Sequence, residues 1–140
     1  MTGKNEAADF TFDGSNMFEP LLLADPSFRR EWDKFQDEWR NEAEEPLYLA
    51  LSELALHLIH NLELGETDRF GDIFDVVERW IVEGNRYVRE AAIVGLLEDL
   101  QNANLHRSTQ PDHVKPWLRP QSAIWWTKLN AFWSDGTPSV

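Results

Sequence analysis

Asn85-Arg86-Tyr87-Val88-Arg89-Glu90-Ala91-Ala92-Ile93-Val94-Gly95-Leu96-Leu97-Glu98-Asp99-Leu100-Gln101-Asn102 is the stretch whose reading decides the fold. Gly84 closes the element before it, and Asn85 offers a side-chain oxygen to the free amides of a new helix. From Ala91 to Leu97 no side chain is charged or polar, so the helix is apolar on every side there. A helix of that kind has to be surrounded by other elements. Gly95 in mid-helix costs about 1 kcal/mol against alanine, and close approach of a neighbouring backbone is the reason to keep it. The stretch predicts a central helix that is scaffold. It states no chemistry of its own.

Working outward, the preceding segment reads as a helix from Thr67-Asp68 to Gly84, with Phe70, Ile73, Phe74, Val77, Trp80 and Ile81 at helical spacing. Before it, Glu45-Pro46 opens a helix that runs to Leu64 and stops at Gly65. Leu47, Leu51, Leu54, Ala55, Leu58 and Leu62 form its main stripe, and Leu49, Glu53, Leu56 and His60 form a second row. Two such rows predict a helix held between neighbours or one that keeps a contact surface. A first helix starts at the Asp25-Pro26 cap and carries Phe28, Trp32, Phe35 and Trp39 as one aromatic stripe. After a polar loop, Pro111 to Leu118 reads as a short helical turn. A last helix follows Arg119-Pro120, with Ile124, Trp125, Leu129, Phe132 and Trp133 inward and Trp126 outward, and Asp135-Gly136 ends it. Asp9 to Gly14 alternates like a strand but is too short to make a sheet alone.

The expected class is all-α: a compact bundle of about five or six antiparallel helices, open to stacking as solenoid-like hairpins. The expected organisation is a flexible arm over residues 1–20, one helical domain over 21–135 and a loose tail over 136–140. At 140 residues, one domain with a real core is the size expectation. Hydrophobic residues make up 42% and aromatics 12%, a composition that packs rather than stays disordered. The absence of cysteine removes disulfides, a thiolate nucleophile and cysteine-ligated zinc from consideration. The first residues carry a lone Lys4 and no apolar leader, and no run approaches the roughly 20 apolar residues that cross a bilayer. The expectation is therefore a cytoplasmic protein without a membrane partner.

Net charge is −12, and it is unevenly spread. Residues 105–140 hold only Asp112 and Asp135 against Arg107, Lys115, Arg119 and Lys128, so the acids crowd the earlier segments. Such a surface repels nucleic acid and attracts basic proteins, although solubility alone is the plainer reading. Asp68, Asp72 and Asp75 fall at spacings that line one ridge, with Glu83 further along. Asp33, Asp37 and Glu38 lie on the outer side of the first helix. These acids, with Leu56 and Trp126 as apolar anchors, are the expected partner-binding residues.

Other constellations were weighed against that surface. Glu53, His57 and His60 stand at spacings of 4 and 3 and can in principle hold a transition metal, which gives the alternative reading of a small metal-binding protein or enzyme. The spacing lacks the glutamate that a metalloprotease helix places after its first histidine, and two boundary histidines are the plainer reading. Glu98 beside Asp99 can be a general acid or base, against the plainer reading of a pair with Arg79 or Arg86. No phosphate loop, dinucleotide fingerprint, nucleophile elbow or basic patch occurs. The expectation is no catalytic residue, no metal and no cofactor. A dimeric adaptor joined through the second helix stays open as a third reading.

Several segments together resemble a known group. They are Asp25-Pro26-Ser27-Phe28 with Trp32, Leu54-Ala55-Leu56-His57-Leu58, Phe74-Asp75-Val76-Val77-Glu78-Arg79, and Glu83-Gly84-Asn85 with Tyr87-Val88-Arg89-Glu90-Ala91-Ala92. Gly95 to Asn102, Leu118-Arg119-Pro120-Gln121-Ser122, Trp125-Trp126 and Phe132-Trp133 complete the set. The chain is similar in these to small acidic helical bacterial proteins that look like immunity proteins of polymorphic or contact-dependent toxin systems. The resemblance implies a binder that blocks the active-site cleft of a basic toxin domain, a nuclease above all. It assigns no role to any single residue.

Overall fold

Asn85 caps the central helix as its position predicts, its side chain accepting from the Val88 amide at 2.9 Å. In the computed structural model of the protein, which describes residues 10–43 and 45–135, this helix (α5) runs through three consecutive pieces, Arg86–Glu90, Ala91–Leu97 and Glu98–Leu100. The middle piece is wound wider, as a π-helix. Nothing in the apolar run marks that change of winding. Ala91, Ala92, Ile93, Gly95, Leu96 and Leu97 are all buried, as a helix apolar on every side requires.

The helices before it are α1 (Phe18–Ala24), α2 (Arg29–Glu38, entered through a 3-10 turn Pro26–Phe28), α3 (Leu47–Leu64) and α4 (Phe70–Glu83). After it come 3-10 turns at Ala103–Leu105 and Pro111–Trp117, then α6 (Pro120–Asp135). The fold is all-α and compact, and among the described residues the only β pairing is an isolated parallel bridge between Phe12 and Gly84. α3 ends where the sequence places it, at Gly65, whose φ of 75° is the left-handed conformation that glycine adopts without strain.

α5 lies along α3. A Cβ on Gly95 would stand 3.3 Å from the Leu51 Cβ and 3.5 Å from a Tyr48 ring carbon, so the missing side chain is what lets the helices approach. Tyr48 meets Tyr87 at 5.8 Å between centroids, Ser52 donates to Asp99 at 2.7 Å, and Glu63 accepts from the Ser108 amide at 3.2 Å. These pairings rise together along the chain, so α3 and α5 point the same way. In a bundle of helices that alternate in direction, α3 and α5 are next-but-one along the chain and so share a direction. Parallel contact arises because α4 carries the chain back between them.

The segment expected as an arm over residues 1–20 contributes to the core from Phe12 onward; residues 1–9 lie outside the described residues, as do Glu44 and the tail 136–140. Phe12, Met17 and Phe18 are buried. The amides of Thr11 and Phe12 donate to the Glu83 carbonyl at 2.7 and 3.2 Å, and Asn85 donates back to the Phe12 carbonyl at 2.8 Å. Trp80 donates its indole N–H to the Met17 carbonyl at 2.8 Å. These bonds satisfy the polar atoms of a buried ring and of the α4–α5 turn, and they dock the segment through Phe12 and Phe18.

α6 is rotated from its expected setting. Trp126 is 2% exposed, not an outward anchor, while Ile124 is 46% exposed. The inward row is Ser122, Trp126 and Leu129. The cause lies at the start of the helix. Glu78 on α4 accepts from the amides of Gln121 and Ser122 at 2.7 and 2.9 Å, and this fixes the phase of every later residue. Trp125 is half-buried, with the Lys128 ammonium 4.5 Å above its ring. The Trp133 side chain lies outside the described residues. No helix among the described residues is long and apolar enough to cross a membrane.

Candidate functional site

Three places on this frame gather polar side chains. The first is the corner where α1 gives way to α2. Asp25 is 1% exposed and accepts from the Ser27 amide at 3.1 Å and the Ser27 hydroxyl at 2.5 Å. On its other oxygen it meets His57 Nε2 of α3 at 3.0 Å. The same ring nitrogen lies 3.1 Å from Ser27 Oγ and 3.3 Å from Asn61 Nδ2. Burial pushes the Asp25 carboxyl up, but the bonds from His57 and Ser27 outweigh it and hold the group below its ordinary value.

Serine, histidine and aspartate in one corner invite comparison with a nucleophilic relay. A relay needs the acid on one ring nitrogen and the nucleophile on the other. Here both approach Nε2, and Ser27 gives its proton to Asp25. The arrangement is a clamp that fixes the first turn before α2 onto α3. A cleft of about 460 Å³ adjoins it, bounded by Asn61, Glu66, Asp68 and Arg69 over Phe70 and Ile73.

The metal constellation does not assemble. His57 faces Asp25, while Glu53 and His60 of the same helix are exposed. Among the described residues no group of three or more histidine, cysteine, aspartate or glutamate side chains converges. Nor does Glu98 pair with Arg79 or Arg86, which meet Glu83 at 3.4 Å and Glu90 at 3.1 Å instead. Burial first, and the neighbouring Asp99 second, raise the Glu98 carboxyl above its usual range.

The second place is the α4 ridge. Asp68 and Asp72 are exposed, as their spacing suggests. Asp75 is exposed too but is paired across the fold: the Arg119 guanidinium donates to it at 2.7 Å and to the Gly71 carbonyl at 3.0 Å. Glu83 is half-buried and pairs with Arg79. The ridge is therefore less open than its sequence suggests, because Asp75 is bonded to Arg119 ahead of α6 and Glu83 to Arg79 of its own helix.

The third place is the groove between α2 and α3. It encloses about 270 Å³ over Phe35 and Trp39, with Leu49 on one rim and Glu31, Glu38 and Glu53 around it; Lys34 is the cation of its lining. Asp33 and Asp37 follow on the outer side of α2, paired only with Arg29 and Arg40 of the same segment. Leu49 and Leu56 on α3 are 48% and 44% exposed. The second row read on this helix is thus an outward face.

A family described as a domain of unknown function (DUF7674) matches residues 18–134. The chain belongs to that family. The DUF7674 match runs from α1 through α6, so it takes in the Asp25 corner, the α4 ridge and the groove, and leaves Phe12 and Met17 outside. No curated protein and no solved structure matches the chain.

Sequence reasoning reads Asp25 only as a cap, and His57 as a boundary histidine or, as the alternative, a metal ligand. Their pairing joins positions 32 apart and has no local signal. Glu78 and Arg119 were likewise missed, since each acts across α4 and α6. Glu63 belongs with them: bonds from the Arg107 amide, and then from Ser108 and Thr109, hold its carboxyl below the usual range and tie the loop after α5 to α3.

Proposed function

We propose that the protein is an immunity-type binder that neutralises a basic toxin domain in the cytoplasm by occupying its active-site cleft. The observation that carries this reading is the set of outward carboxylates: Asp33, Asp37 and Glu38 on α2, Asp68 in the turn before α4 and Asp72 on α4, all exposed on a chain of net charge −12. A cleft that holds phosphates is lined with lysine and arginine, and an acidic surface competes for it with fast, salt-sensitive association. The protein acts in this reading by occupancy, and the Asp25 corner and Glu98 serve the fold rather than a reaction. The resemblance of its segments to immunity proteins supports the same direction.

The test begins with the genes that flank its own: any that encodes a basic toxin domain is co-expressed with it. Parent protein should protect the cell and co-purify with the toxin. Asp33→Lys with Asp37→Lys, and separately Asp68→Lys with Asp72→Lys, should slow association by about tenfold at low salt and much less at high salt. Asp75 is left untouched because its loss would disturb α6. If both variants associated as fast as the parent at low salt, the electrostatic reading would end.

A further inference from the structure

We infer that the groove between α2 and α3 is a docking slot for a single basic side chain, arginine or lysine, carried by a partner protein. The inference rests on the reading of the protein as a neutraliser of a basic partner and names the surface that makes the contact. The groove has the two parts such a side chain requires. Phe35 and Trp39, with centroids 6.5 Å apart, and the half-exposed Leu49 offer apolar surface to an aliphatic stem. Glu31, Glu38 and Glu53 stand around the same opening to receive the charged head, and the Trp39 ring adds a face on which a guanidinium can stack. Leu56, one turn beyond Glu53 on the same face of α3, extends the apolar contact along the partner.

Charge decides the occupant. A second copy of this chain, related by a two-fold axis, would set this acidic face against an identical acidic face. Three carboxylates against Lys34 in the slot select a cation, and an acidic or purely apolar segment leaves them uncompensated. The same feature separates this place from the Asp25 corner, whose carboxylate is already satisfied by Ser27 and His57. It also separates it from α4, where Asp75 is taken by Arg119.

The probe is N-acetyl-arginine amide, titrated into the full chain and followed by NMR, with the neutral isostere N-acetyl-citrulline amide as its control. Arginine should shift the Trp39 indole, Leu49 methyl and Glu53 amide signals together and saturably, and citrulline should not. Glu38→Gln with Glu53→Gln should weaken this binding about fivefold, since two exposed charge contacts are lost. Asp68→Asn with Asp72→Asn should leave it unchanged. Both variants replace exposed acids, and an unaltered unfolding midpoint verifies that each still folds. The slot is overturned if citrulline shifts Trp39 as much as arginine does, if the Asp68 and Asp72 signals respond equally, or if the groove signals instead follow protein concentration as a self-association would. Protection of cells from a basic toxin domain found in a flanking gene is scored separately. A parent chain that binds arginine at Trp39 but gives no protection refutes the neutraliser and keeps the slot. Protection that survives Glu38→Lys with Glu53→Lys refutes the slot and keeps the neutraliser.

Discussion

The acids of α2 and those of α4 look alike along the chain and have opposite fates in the fold. Asp33 and Asp37 point to solvent and pair only with Arg29 and Arg40 of their own segment. Asp75 and Glu78 reach across to α6, one holding Arg119 and the other the amides of Gln121 and Ser122. Helical spacing says which acids share a face. What stands opposite that face is settled by the packing of another helix. A carboxylate that holds another helix in place is less available to a partner, and this criterion moves the candidate binding surface away from Asp75 toward α2 and its groove, while Glu83, paired with Arg79 of its own helix, stands with the acids of α2.

Substitutions that remove one acid at a time separate inward from outward roles. The largest loss is expected at Asp25, the inward acid at the entry to α2. Asp25→Ala removes a cap and a charge-assisted bond to His57, and should cost about 2–3 kcal/mol in urea unfolding near neutral pH. The carboxyl is held below its ordinary value in the fold, so its contribution is complete above the unfolded value of about 4 and is lost as pH falls through the folded value. The gap between parent and Asp25→Ala should therefore narrow in acid. A constant gap from neutral pH to strong acid would show that ionisation of Asp25 is not what stabilises the corner.

Glu78→Ala comes next, at about 1–2 kcal/mol, because two amides at the start of α6 lose their acceptor. Trp126 fluorescence should report the loosening as increased access of a quencher, and unchanged quenching would mean that something other than Glu78 sets the phase of α6. Asp75→Ala should cost less, up to about 1 kcal/mol, since its pair with Arg119 is partly open to water. Hydrogen exchange at the start of α6 would detect it. The smallest effect on stability belongs to Asp33→Lys with Asp37→Lys, within about 0.5 kcal/mol, as expected for surface changes away from caps and networks. If this outward pair destabilised the fold as much as Glu78→Ala, the distinction between the two helices would collapse.

Much of the fold was legible because local rules decided it. The cap at Asp25-Pro26, the stop at Gly65, the start at Asn85 and the inward stripe of α4 needed only neighbours a turn away, and the structure has each of them. Gly95 announced a close approach, and Leu51 is the residue that approaches. The exposed row of Leu49, Glu53 and Leu56 was also readable, as a face left over once the main stripe of α3 was assigned. Tertiary structure alone decided the rest. Periodicity placed Trp125 on the inward stripe and Trp126 off it, and the fold reversed this: with Glu78 of another helix bonded to the first amides of α6, Trp126 is the buried one. Phe12 and Phe18 became core because the α4–α5 turn offered carbonyl and amide partners beside them. His57 met Asp25 because α3 passes the corner before α2. In each case the deciding interaction joins residues far apart in sequence. Its free energy depends on a distance that no local pattern contains.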